Sequence, residues 1–225
     1  MISKLPRWVE FGAFILAFVA GYVNAVGLLG FEHQSVSHLS GTATLLGTEL
    51  ISSSAQNVLH LVAVLVSFFL GAGLSGFILH GSTLRLGRHY DTALYLECIL
   101  LLSALVLLND GAIAGHYLAS AACGLQNALA TTYSGAIVRT THVTGIFTDL
   151  GIMFGAKLRG ESFDKRKAIL FLIIITGFVV GGVIGAVLFD HLVFNALIIP
   201  SAIVLVLGVG YRIYNVKRAS KKVES

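Results

Sequence analysis

His38-Leu-Ser-Gly-Thr-Ala-Thr-Leu-Leu-Gly47 returns 104 positions later as His142-Val-Thr-Gly-Ile-Phe-Thr-Asp-Leu-Gly151. His, Gly, Thr, Leu and Gly coincide, and Leu/Val and Ser/Thr are near-synonyms. A short polar motif that occurs twice in a very apolar chain points to two related halves. Two further pairs extend the duplication. Gly21-Tyr-Val-Asn24-Ala25 answers to Gly124-Leu-Gln126-Asn127-Ala128 at an offset of 103, and Phe69 to Gly76 answers to Phe178 to Gly185 at 109. The sequence therefore divides into residues 1–109 and 110–225.

Composition sets the class. Of 225 residues, 56% are hydrophobic and 12% charged, against roughly 45–50% and about 25% in soluble domains. Six runs are each close to the ~20 residues a helix needs to cross a bilayer: Trp8–Leu29, Val58–Leu79, Thr92–Leu108, Ile113–Tyr133, Ala168–Phe189 and Val193–Tyr214. The expected fold is all-α, a polytopic membrane protein. Lys4 and Arg7 ahead of the first run imitate a secretory signal, but cleavage after Ala20 would place Phe18 where a small residue is wanted. The run also leads into the first copy of the repeat, so it reads as a retained helix. Cys98 and Cys123 fall inside apolar runs and read as reduced packing residues.

Ser37–Ser53 and Thr141–Ala156, which carry the decamers, are shorter and more polar than the six runs. If both cross the membrane, Arg85, Arg88 and Arg139 face outside and twelve of the fifteen Lys/Arg remain inside. If both are re-entrant, all fifteen fall inside, which the positive-inside rule prefers. Three crossings per half is an odd number, so the halves become inverted repeats of three transmembrane helices and one short re-entrant helix each. Such repeats characterise transporters, with the site between them. The two re-entrant segments are expected to meet near the centre. Both termini are then cytoplasmic.

Candidate site residues follow from polar groups at membrane depth. Asn24, Gln126 and Asn127 offer carboxamides able to donate and accept to one solute; the alternative is helix–helix bonding. His38, Ser40, His142, Thr144 and Thr148 surround Gly41 and Gly145 at the expected tips, although hydroxyls there also bond back to helical carbonyls. Asp149, Glu49 and Glu97 are ionisable groups in apolar segments, which makes them functional candidates. Asp149 and Glu49 are assigned to coupling or gating. Leu45 answers to Asp149, so the two copies are unequal. Gly177, Gly181 and Gly185 form a stripe for close helix packing, between halves or between protomers of a homodimer. No His, Cys or carboxylate set has metal-ligand spacing. No nucleotide or catalytic motif is present, so neither a cofactor, an enzyme nor a nucleic-acid partner is expected. The basic C-terminal Lys217, Arg218, Lys221 and Lys222 suit anionic headgroups.

These motifs resemble the YoaK family of bacterial multi-pass membrane proteins, a family of uncharacterised function. The resemblance rests on Gly21-Tyr-Val-Asn24-Ala25, Ser40-Gly41-Thr42, Gly124-Leu-Gln126-Asn127-Ala128 and Thr141 to Gly151, and covers most of the chain. It implies a bacterial inner membrane. Asn24 stands where that family usually has Asp, and Thr42 where it usually has Asn, so a central ionisable group is missing. The expected activity is transport of a small polar solute or ion through a midplane site between the halves. A passive channel using the same residues as a filter and a non-transporting scaffold are the rival readings.

Overall fold

The computed structural model describes residues 8–30, 36–52, 54–79, 89–134 and 140–223. Among them are eight α-helices: α1 (Trp8–Gly30), α2 (Leu39–Ser52), α3 (Ala55–Ile78), α4 (Tyr90–Asn109), α5 (Ala114–Ser134), α6 (Val143–Leu158), α7 (Lys165–Leu192) and α8 (Ile198–Val223). The order long, short, long, long occurs twice. The 3-10 turn Val193–Leu197 joins α7 to α8. Val193 starts it with φ 49°, a conformation that a β-branched residue adopts only under tertiary constraint. Lys4, Arg7, Arg85, Arg88 and Arg139, which carried part of the charge count, lie outside the described residues.

Four stretches are long and apolar enough to cross a membrane: Val9–Gly30, Ala55–Ile78, Tyr90–Asn109 and Lys165–Lys217, the last holding both α7 and α8. The chain is thus a helical protein with the composition of a membrane protein. The expected span Ile113–Tyr133 is a helix, α5, but not one of these stretches. The reason lies in its position. α5 is covered by α3, α4 and α1, so it carries Ala, Gly, His, Gln and Asn at places where a lipid-facing helix needs larger apolar groups.

Glycines bring the helices together. On α7, Gly177, Gly181 and Gly185 lie against the backbone of Phe14, Phe18 and Tyr22 of α1. The pairs ascend together, so α1 and α7 are parallel. Gly21 of α1 lies reciprocally against Phe178, where a Cβ would collide with main chain. This stripe packs against α1 within the chain. The same contact recurs between α3 and α5, where Gly124 meets the Phe68 backbone and Gly71 that of Ala121. Gly21 with Phe178 corresponds to Gly124 with Phe68, and Gly181 with Phe18 to Gly71 with Ala121. Phe178 thus matches Phe68, so the offset for α3 and α7 is 110 and the expected 109 is corrected by one residue.

Directions follow from the remaining contacts. Gly115 of α5 sits against Ala104 and Leu108 of α4, and Tyr90 Oη donates to the Leu129 carbonyl (3.2 Å), so α4 and α5 are antiparallel. Asn109 bonds to Asn195 and Arg212 to Asp91, which makes α4 and α8 antiparallel. Hence α1, α4 and α7 run one way, and α3, α5 and α8 the other. One main apolar core joins α1, α4, α5 and α8; a second cluster joins the early turns of α1 and α7 to Ala130 and Ile146.

Candidate functional site

The short helices place the decamers. Val36 packs against Gly27 of α1, and Ser120 Oγ donates to the carbonyls of Val36 (3.1 Å) and Val64 (3.0 Å). Asn24 Oδ1 accepts from the Ser37 hydroxyl (2.8 Å) and amide (3.4 Å). From that buried tip α2 runs along α3 to the start of α3. α6 lies similarly on α7. Each His ring folds over the glycine three residues on, His38 over Gly41 and His142 over Gly145, so both cover the first turn of their helix.

The expected site residues are not brought into one place. Among the described residues α2 and α6 make no contact with each other, so the short segments do not meet. Gln126 is 2% exposed and donates to the Leu16 carbonyl of α1 at 2.5 Å. That bond levels Asn127 with the early part of α1, about 12 Å along the axis from Asn24 at 1.5 Å per residue. Thr44 and Thr148 bond back to the carbonyls of Ser40 and Thr144, at 2.9 and 3.0 Å. His38, Ser40, His142 and Thr144 are exposed on the bundle surface, with Ser40 3.2 Å from His38 Nε2. Asp149 pairs with Lys167 (3.5 Å). One carboxylate oxygen of Glu49, one of Glu97, and Asn127 Oδ1 are buried without a partner among the described residues.

A cavity of about 490 Å³ lies elsewhere, at the end of the bundle where α1, α4 and α7 finish and α3, α5 and α8 begin. Its wall is formed by Gln56, Asn57 and His60 of α3, the loop 111–113 and His116 of α5, with Gly30 and Phe194 opposite. His60 Nδ1 is 3.0 Å from Tyr117 Oη, and the His60 and His116 rings are 5.0 Å apart. None of these residues was expected. The available signal was two histidines, His60 and His116, inside apolar runs, a costly placement that marks function.

The opposite end holds the same parts. Offsets of 110 and 103 carry His60 to Leu170, His116 to Ala13, Gln56 to Arg166, Asn57 to Lys167 and Ile113 to Glu10. There the corresponding positions among the described residues are packed together. Ala13 and Leu170 belong to a buried cluster with Phe171 and Ile174, Glu10 pairs with Arg166 (3.6 Å), and Lys167 lies 5.2 Å from the centre of the Phe171 ring. Among the described residues no group of three His, Cys, Asp or Glu is placed to hold a metal ion.

The sequence matches the family described as a protein of unknown function, DUF1275, over residues 12–210, which reaches into all eight helices. The chain belongs to the DUF1275 family. DUF1275 is uncharacterised, so membership places the fold and not an activity, and the likeness to YoaK proteins stays a resemblance. Comparison with curated proteins and with solved structures gives no significant match.

Proposed function

We propose that the chain is a membrane transporter for a small polar solute, built from two inverted repeats and held with its cavity open at one end. The observation that carries this reading is the pair of corresponding positions at opposite ends, one lining a cavity and the other, among the described residues, packed together. A transporter needs such a pair, because access must alternate around one site. A channel needs both ends passable at once. The helix directions support inversion: α1 and α5, equivalent in sequence, run opposite ways, as do α3 and α7. The buried tip at Val36 and Ser37, with α1 ending and α3 beginning at the same end, supports re-entry by the segment carrying α2.

Charge supports an orientation. Lys157, Arg159, Lys165, Arg166, Lys167, Arg212 and Lys217 lie on the segments that close the shut end, whereas Asp110, Asp190 and His191 lie at the cavity end. The positive-inside rule then turns the cavity outward, in a cell membrane, with the C-terminus in the cytoplasm. Flux into proteoliposomes is the deciding measurement. The reading expects saturable uptake that His116→Phe, which fills the cavity, abolishes without loss of folded protein. Uptake that never saturates would favour a channel. Labelling of Asn57→Cys from outside intact cells, with Lys157→Cys protected, is the expected topology; the reverse pattern overturns the orientation.

A further inference from the structure

We propose that Glu97 of α4 is a proton-binding site, the group that couples solute movement to a proton gradient. The inference deepens the transporter reading and rests on it for the coupling alone, not for the uptake of the proton. Glu97 is 1% exposed and lies inside a membrane span, Tyr90–Asn109. At 1.5 Å per residue it stands about 10 Å from one end of that helix and about 18 Å from the other. Its Oε2 is buried without a hydrogen-bond partner, and no ion pair reaches it, among the described residues. Among those residues Asp91 is the other carboxylate buried this far, and it has Arg212 at 2.9 Å. Asp149, by contrast, is half-exposed and paired with Lys167. A carboxylate alone among apolar groups is a large uncompensated cost, and the neutral acid a much smaller one. Ionisable groups at membrane depth mark proton relays for this reason.

The fold does not require an acid there. The offset of 103 that relates α1 to α5 also relates α4 to α8. Ala93, Leu94, Cys98 and Leu101 answer to Ala196, Leu197, Ser201 and Val204, and all eight are buried. Glu97 answers to Pro200, which is buried and uncharged. One half fills this packing position without an ionisable group, and the other keeps a carboxyl there.

The elements packed on α4 are α5, α8, the 3-10 turn and α3. Tyr90 meets Leu129 and Ala104 meets Gly115, so Cys123 of α5 stands level with Glu97, buried and within reach of its charge. His116 and Tyr117 lie about two turns nearer the cavity, and Tyr133 lies at the shut end. On α8, Gly208 packs on Tyr95, so Tyr211, Arg212, Tyr214 and Lys217 are all displaced toward the shut end. The 3-10 turn carries no titratable group, and His60 of α3 faces Tyr117 at the cavity end. On α4 itself Cys98 is adjacent, while Tyr90 and Asp91 are at the shut end. Glu97 thus sits between the cavity and the Asp91–Arg212 pair. Loading forms one O–H bond as the carboxylate accepts a proton from water on one side. Release breaks that bond and returns the proton to water on the other.

The test uses the full chain in nanodiscs and reads the infrared C=O stretch of protonated carboxyl groups, wild type against Glu97→Gln. The bath is stepped from about pH 5 to about pH 9. A band is expected in the wild type that Glu97→Gln lacks and that fades reversibly as the pH rises. Glu97→Asp keeps the acid, so it is expected to shift the band and retain the pH response; it serves where Glu97→Gln fails to fold. A band that persists unchanged across the range marks an acid that never meets water, and overturns the proposal. A spectrum from which Glu97→Gln removes nothing overturns it too. Saturable uptake into proteoliposomes that ignores an imposed pH gradient would overturn the coupling. A titrating Glu97 in a protein that moves no solute would instead sink the transporter reading and leave the proton site standing.

Discussion

At one end of the bundle the first turns of α3 and α5 frame a cavity containing His60 and His116; at the other, the equivalent turns of α7 and α1 close on Leu170, Ala13 and the Glu10–Arg166 pair. The glycine contacts between the paired helices recur, and the side chains at the corresponding positions differ. The same inequality continues deeper in the bundle. Ser120 ties the tip at Val36 to α3, but its counterpart is Ala17. Asn24 bonds to Ser37, whereas Asn127 leaves Oδ1 without a partner among the described residues. Among the described residues, the tip before α2 is thus anchored by bonds that Thr140 and Thr141 before α6 do not make.

The largest effect is expected where the two ends share their frame. Gly21→Leu and Gly124→Leu each drive a side chain into the main chain of the facing helix. Each is expected to cost about 3 kcal/mol or more, beyond ordinary overpacking, read as loss of monodisperse protein in detergent. A folded Gly124→Leu beside an unfolded Gly21→Leu would break the equivalence of the two seams. Next come the tips: Ser37→Ala should cost about 1 kcal/mol through its bond to Asn24, and Thr141→Ala almost nothing, in paired unfolding measurements. Equal losses would show that Asn127 has a partner after all.

Gly47→Ala and Gly151→Ala should go the other way, because a Cβ at either position meets open space. Relief of the helical glycine is worth up to about 1 kcal/mol of added stability. Destabilisation at either position would reveal a neighbour on the outer face of that short helix. The smallest effect belongs to the shut end. Glu10 and Arg166 are each about a third exposed, so Arg166→Gln should cost only about 0.5 kcal/mol, yet raise the labelling of a cysteine placed at Ala13. Unchanged labelling would mean that apolar packing alone holds that end closed.

The helices were legible in the sequence because their signal is local. α1 was expected over Trp8–Leu29 and occupies Trp8–Gly30, and α2 fills nearly all of Ser37–Ser53. The decamers also marked the short helices correctly. The cavity was not legible, because its wall combines residues 56, 57, 60, 111–113, 116 and 194, and only the parallel alignment of α3 with α5 collects them. Glycine stripes announce close packing but not the partner, so Gly177, Gly181 and Gly185 could not be assigned to α1. Attention to residues shared by both copies had a further cost. His60 and His116 answer to Leu170 and Ala13, and a search for repeated polar groups passes over them.

The pairing of α1 with α7 also sets a schedule for synthesis. α7 begins 135 positions after α1 ends, which at about 5–20 residues per second is roughly 7 to 27 seconds of translation. Throughout that time α1 lacks the helix that covers Gly21, whereas α5 begins only 36 positions after α3 ends. The nascent chain therefore completes one seam early and keeps the other waiting. An insertase that shelters α1 until α7 emerges would act on this protein at a defined and lengthy stage.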